Sequence, residues 1–198
     1  MVLSRRQLLQ ASVVGSGAFS LAMQLPALGQ AMHAEDNRTP LALWVEIGRD
    51  DSVLIRFARS ELGQGSMTAA PQLVAEELDA DWNQVKVDYV DTNLHMRMNR
   101  AWGDMATSGS RTIRSSQAYL RQAGATARAM LVAAAARQWD VPVTEITVNN
   151  GIISHAASSR TTGFGAVAQV AAGLPVPETV SLKDPALWTI VGQSAPRI

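Results

Sequence analysis

The sequence predicts an α+β domain. Two runs of alternating apolar residues, Leu41-x-Leu43-x-Val45-x-Ile47 and Val53-x-Ile55-x-Phe57, read as strands. Asn149-Asn150-Gly151 lies between the apolar pairs Ile146/Val148 and Ile152/Ile153, a strong hairpin signal. A stretch rich in small residues from Ser115 to Trp139 reads as one long helix.

The remaining elements follow in order. Gly48-Arg49-Asp50-Asp51 supplies a turn, so strands 41–47 and 53–57 form a hairpin. A glycine loop at Gly63-Gln64-Gly65 precedes a helix from Met67 to Leu78, whose apolar face carries Ala70, Leu73, Val74 and Leu78. Pro71 is expected in the first turn of such a helix, where no N–H is needed. Val85, Val87 and Tyr89 alternate as a further strand. Residues 91–112 show no period and read as a long structured loop, the kind that in a compact domain serves function. In the long helix, Ala118, Ala125, Ala129, Ala133 and Ala136 permit close approach of another element, and Pro142 lies just past its end. A last helix spans Gly165 to Ala172, and an extended, proline-punctuated tail runs from Lys183 to Ile198. No internal repeat is present.

The first residues have their own logic. Arg5-Arg6 precede an apolar stretch from about Ala11 to Leu28, which ends in small residues around Gly29-Gln30-Ala31. This order reads as an export leader, and the paired arginines point to the twin-arginine route. An ordinary secretory leader and an uncleaved membrane anchor are the alternatives. Gly15, Ser16, Gly17 and Gln24 interrupt the apolar run, which disfavours a spanning helix. The expected localisation is periplasmic, with room for membrane association.

Charge and composition narrow the function. Seventeen basic residues balance 17 acidic ones, against a nucleic-acid footprint. The chain has no cysteine, so it can supply no thiolate to an iron–sulfur cluster or a zinc site. His33, His95 and His155 show no ligand spacing and read as surface or loop residues. Glu76-Glu77 is an adjacent pair facing different directions on a helix, and reads as surface. Trp102 reads equally as a ligand-stacking ring or as loop packing. No metal-ligating or catalytic constellation is read from these residues.

Two segments could carry chemistry. In Glu61-Leu62-Gly63-Gln64-Gly65 the glycines allow a sharp bend and close approach of a flat ligand, and Gln64 offers both donors and an acceptor. A tight turn without a ligand explains the same spacing. A dinucleotide-binding G-x-G-x-x-G would need glycine where Thr68 stands. Gly163-Phe164-Gly165 with Ala168 fits G-x-G-x-x-A, but no convincing strand precedes it. The second segment is Thr107-Ser108-Gly109-Ser110-Arg111-Thr112. There hydroxyls, backbone N–H groups and a guanidinium gather at the start of the long helix, where a phosphate or other anion could bind. Simple helix capping is the plainer alternative, and Arg111 and Arg114 could be solvated charges.

Glu61-Leu62-Gly63-Gln64-Gly65 with Thr68, Leu73-Val74-Ala75-Glu76-Glu77-Leu78 and Trp82 resembles the molybdopterin-binding subunits of the xanthine dehydrogenase family. Gly109-Ser110-Arg111-Thr112, followed by Ser116-Gln117-Ala118 and the Ala-rich helix, resembles that family's second cofactor loop. The twin-arginine start is similar to its exported branch, the isoquinoline 1-oxidoreductase beta subunits and related aldehyde dehydrogenase large subunits. Leu62 departs mildly from the Met or Val common there.

The resemblance implies a molybdopterin-binding-domain-like α+β fold, with β-hairpins packed on the long helix. It implies a leader over 1–31, a linker over 32–40, a partial molybdopterin-binding domain over 41–180 and a lead-in to a following domain over 181–198. It implies a molybdenum–pterin cofactor, in its cytosine dinucleotide form, held by Gly63, Gln64, Gly65, Ser108, Gly109, Ser110, Arg111 and Thr112. Iron–sulfur clusters would sit on a small partner subunit, with a cytochrome c subunit as acceptor. The reaction would hydroxylate an N-heterocycle or aldehyde with oxygen from water. Family members place a catalytic glutamate near a distant C-terminus. No segment here matches its motif, so the chain is expected to be inactive alone, as an incomplete domain of a larger subunit. A non-enzymatic exported protein that binds a ligand or partner, derived from such a subunit, is the alternative.

Overall fold

The computed structural model describes residues 38–198. The leader expected over 1–31 and His33 lie outside the described residues.

Two small sheets and two principal helices make the frame. The first sheet has strands β1 (Arg38–Ala42), β2 (Val45–Gly48), β3 (Val53–Phe57) and β4 (Val85–Tyr89), in that spatial order. The single strand expected over 41–47 is two strands, with a tight reversal at Leu43–Trp44 that lets β1 pair antiparallel with β2. Alternation alone could not reveal this break, because Leu43 and Trp44 are themselves buried. β2 and β3 form the expected antiparallel hairpin, with Val45 opposite Ile55. β4 pairs parallel to β3, and the crossover between them is helix α1 (Ser66–Leu78). A parallel pair needs such a crossover connection, and the helix supplies it.

Pro71 is the sixth residue of α1 rather than part of its first turn. It removes the N–H that the Met67 carbonyl would otherwise accept. Its ring is buried against the core, and tertiary packing outweighs that local cost.

The aperiodic stretch after β4 contains two short helices, α2 (Thr92–Arg97) and α3 (Arg111–Arg114). The long helix α4 runs Gln117–Trp139 and crosses α1 closely. Gly124 sits at the crossing: a Cβ there would meet the Val74 carbonyl oxygen at 2.4 Å. The small-residue face therefore does what its composition implies, bringing two helix backbones together.

The second sheet is an antiparallel meander of β5 (Ile146–Asn149), β6 (Ile152–His155) and β7 (Arg160–Gly163). Asn150 and Gly151 both have positive φ, 47° and 78°, as the tight Asn-Gly hairpin requires. Strand β7 was not legible from its residues, Arg-Thr-Thr-Gly, which lack an apolar alternation. It leads into α5 (Phe164–Ala172), so a strand does precede Gly163-Phe164-Gly165. Its antiparallel setting still excludes a dinucleotide-binding unit. The Asp51 carboxylate fills the helix start instead, accepting from the Gly165 N–H at 2.7 Å.

Several polar residues expected at the surface are buried. Glu76 and Glu77 are 1% and 2% exposed, because the tail covers them. Glu76 accepts hydrogen bonds from the N–H groups of Thr189, Ile190 and Val191 and from the Lys183 ammonium. Glu77 accepts from Arg121 and from the Lys183 N–H. His95 packs beside Trp102, and its burial, together with the charge of Arg100, lowers its pKa. His155 is buried and lies between Glu145 and Ser158. Trp102 resolves to loop packing: its indole N–H donates to the Leu43 carbonyl at 3.0 Å. The tail, read as extended, contains a short 3-10 turn at Pro185–Leu187 and docks as a strap on α1.

Candidate functional site

The glycine loop joins β3 to α1 and holds itself in shape. Gly63 and Gly65 have φ of 97° and 79°, values that only glycine adopts readily. The Glu61 carboxylate gathers the loop: one oxygen accepts from Gly63 N–H at 2.7 Å and Gly65 N–H at 2.9 Å, and the other from Met67 N–H at 2.8 Å. Bonds from the N–H groups of Met67 and Gly65 lower its pKa to about 2. The Gln64 amide folds back, donating to the Ser60 carbonyl and the Ser66 hydroxyl and accepting from the Leu62 N–H.

The second loop runs beside the first. Arg59 donates to the Ala106 carbonyl, and the Ser60 N–H donates to the Thr107 hydroxyl at 2.7 Å. The two predicted segments are thus adjacent, joined through the residues just before each.

Within the second loop the predicted residues divide. Ser108, Gly109 and Ser110 are exposed, and Gly109 and Ser110 both have φ near 57°. Arg111 donates to Asp104 at 2.7 Å and to the Ser108 hydroxyl at 3.0 Å. Hydrogen bonding from the Ala106 N–H, with Arg111 and Arg59 nearby, lowers the Asp104 pKa. Thr112 is buried and lines a small cavity with Trp44, Arg59, Ser116 and Tyr119. The segment opens the four-residue α3, not the long helix as expected, because Ser115 and Ser116 separate the two. Arg114 turns back to the Gly109 carbonyl.

The arrangement suits a flat, polar ring system. Among the described residues, a Cβ on Gly63 or Gly109 would meet nothing within 4 Å, so both backbones have an open side there. On Gly65 the nearest atom would be an Arg197 guanidinium nitrogen at 3.8 Å. The nearby donors are neutral amides and hydroxyls together with the guanidinium groups of Arg111 and Arg197.

A model of the molybdopterin cofactor-binding domain matches residues 12–196 of this sequence. The chain belongs to that family.

Curated relatives of this molybdopterin cofactor-binding domain include the beta subunit of isoquinoline 1-oxidoreductase from Brevundimonas diminuta, 41% identical over 138 residues. That match covers 69% of this chain and 17% of the relative. The membrane-bound aldehyde dehydrogenase [pyrroloquinoline-quinone] of Gluconacetobacter polyoxogenes is 32% identical, over 87% of this chain and 22% of the relative. The B subunit of nicotinate dehydrogenase from Pseudomonas putida is 33% identical, over 80% and 13%. These relatives place the domain in the isoquinoline 1-oxidoreductase and aldehyde dehydrogenase branch of the xanthine dehydrogenase family. The chain spans about one fifth or less of the curated relatives it matches. CO dehydrogenase from Oligotropha carboxidovorans shares the fold, with a TM-score of 0.50 at 19% identity, covering 62% of this chain and 15% of that one.

Arg59 and Ser60 lie outside the two segments singled out from the sequence, while Glu61 and Thr107 begin those segments but carry no assigned role there. Glu61 had a usable signal: an acidic residue just ahead of a helix start, where exposed N–H groups favour a carboxylate. The partnership of Ser60 with Thr107 has no local signature, since it joins residues 47 apart.

Proposed function

We propose that this chain supplies the first cofactor-binding part of a molybdenum hydroxylase subunit, acting in the periplasm on an N-heterocycle or aldehyde. The observation that carries the reading is the juxtaposition of two glycine-bearing loops, Gly63–Gly65 and Ser108–Thr112, tied together by Ser60 and Thr107. Gly63, Gln64, Gly65, Ser108, Gly109 and Ser110 would hold the pterin cofactor on their open side, and Arg111 and Thr112 would brace the second loop from behind. When bound, that group supplies the two-electron oxidation of the substrate. The chain's own residues hold and orient it, Gln64 bracing the loop from within and the glycines leaving room for a planar ring. The cytosine dinucleotide form of the cofactor fits the branch to which the relatives belong.

Partner subunits follow from the same reading. Two of the relatives are, by name, the beta and B subunits of their enzymes. These 198 residues hold no cysteine to ligate iron–sulfur centres, which supports placing those centres on a partner subunit, with a cytochrome as acceptor. Arg5-Arg6 ahead of an apolar run support export by the twin-arginine route.

The test is production of the full chain in a host that makes the cofactor, with metal and pterin analysis of the purified protein. Co-purified molybdenum and pterin support the reading. A folded protein with neither refutes it and favours a non-enzymatic binding protein. Dye-linked oxidation by the chain alone should be absent.

A further inference from the structure

The Gly63–Gly65 loop is held by a charged side chain to which the proposed function assigns no part. Gly65, the residue capping α1, has no side chain with which to cap it. Glu61 performs that task from four residues upstream. Its two oxygens accept from the N–H groups of Gly63, Gly65 and Met67, with the Ser66 hydroxyl at 3.4 Å as a fourth donor. Gln64 engages the Leu62 N–H from the same loop. The N–H groups of Leu62, Gly63, Gly65 and Met67 are therefore directed inward, toward the chain's own side chains. What faces outward is the open side of Gly63. A loop of positive-φ residues has many alternative shapes, and ordering it on binding would cost affinity.

We infer that Glu61 is a positioning residue, which fixes the Gly63-Gln64-Gly65 loop in its receptive shape before the pterin cofactor arrives. This rests on the reading that the loop meets that cofactor. It also specifies the contact. The N–H groups at the start of α1 are already engaged by a carboxylate, and the Gln64 amide by Ser60, Ser66 and Leu62, so the loop meets a flat ring through the glycine face, not a phosphate through the helix start. A glutamine at position 61 offers one acceptor oxygen in place of two, and its NH2 group opposes an N–H. An aspartate keeps the charge but is one methylene too short to span Gly63 and Met67.

The experiment compares the full-length wild type, Glu61→Gln and Glu61→Asp, each produced in a cofactor-making host. Amide hydrogen exchange is read at Gly63, Gly65 and Met67, and molybdenum and pterin content are measured on the same samples. Both variants are expected to keep wild-type exchange in α4. Their loop amides should exchange roughly tenfold faster or more, as loss of hydrogen bonds to a charged acceptor predicts, and molybdenum content should fall several-fold. Unchanged loop exchange overturns the inference, as does faster exchange with undiminished molybdenum. If Glu61→Gln does not fold, Glu61→Asp decides by the same two readings. A wild type that carries no molybdenum refutes the proposed function, and with it the cofactor side of the inference, whereas the exchange rates separately report whether Glu61 holds the loop.

Discussion

The Ser60 N–H donates to the Thr107 hydroxyl at 2.7 Å and so fastens the glycine loop to the second polar loop. This bond and the Arg59 contact to the Ala106 carbonyl help set their spacing. Thr107→Val keeps the shape of the side chain and removes the acceptor. The expected cost is about 1 kcal/mol, the usual net worth of a partly exposed hydrogen bond. Thermal denaturation would register it, and hydrogen exchange should show faster exchange at Ser60 with α4 unaffected.

Gly124 is the contact point of α1 and α4. In an isolated helix, Gly→Ala would gain about 1 kcal/mol. Here the added Cβ would lie 2.4 Å from the Val74 carbonyl oxygen and 2.9 Å from the Glu77 Cβ. Overpacking of that kind costs roughly 1–3 kcal/mol. The steric term is expected to win, since backbone cannot yield as a flexible side chain does. Urea denaturation of Gly124→Ala should show a lower midpoint; a raised midpoint would mean that the helices separate without cost.

What the sequence revealed was governed by local rules. The 45–57 hairpin, the Asn150-Gly151 turn and the long helix each follow from periodicity or turn chemistry within a dozen or so residues. The glycine loop was equally legible, because positive φ at Gly63 and Gly65 leaves a composition trace. The misread features depend on distant chain. Glu76 and Glu77 read as surface until residues 183–191 cover them. His155 reads as a loop residue until Glu145 and Ser158 bracket it. Strand β7 pairs through its backbone with β6 and needs no apolar pattern of its own. The second loop reads as the start of the long helix but opens α3, because Ser115 and Ser116 separate α3 from α4.

Asp51 caps α5 from the β2–β3 turn, 114 residues away in sequence. Asp51→Ala removes the acceptor for the Gly165 N–H, and it places alanine at a φ of 66° that disfavours a Cβ. A loss of about 1–2 kcal/mol is expected, in the range of helix N-cap deletions. Asp51→Asn retains both an acceptor and tolerance of the left-handed conformation, so it should lose well under half of that. Equal losses in the two variants, measured by urea titration, would show that charge rather than capping decides.

Glu76 is where acid should first loosen the strap. Burial alone would raise its pKa, but the N–H groups of Val191 and Ile190, the Lys183 ammonium and the Thr189 N–H outweigh that and hold it below 4.5. A carboxyl whose folded pKa is depressed adds stability above its unfolded pKa, and that stability is lost as pH falls through the folded value. The strap should therefore be firm at neutral pH, begin to lose support as pH falls below the ordinary glutamate value, and release only as pH passes the lowered folded value. Glu76→Gln leaves one or more buried N–H groups without an adequate acceptor, while Lys183 keeps its ion pair with Asp79. The expected cost near pH 7 is about 3 kcal/mol, the order found when one partner of a buried charged network is removed. The variant should also show a shallower fall in stability on acidification, because one titrating carboxyl is gone. Urea unfolding at a series of pH values from 7 to 3 measures both. Parallel curves for wild type and variant would show that Glu76 stays ionised through the range and does not govern acid release.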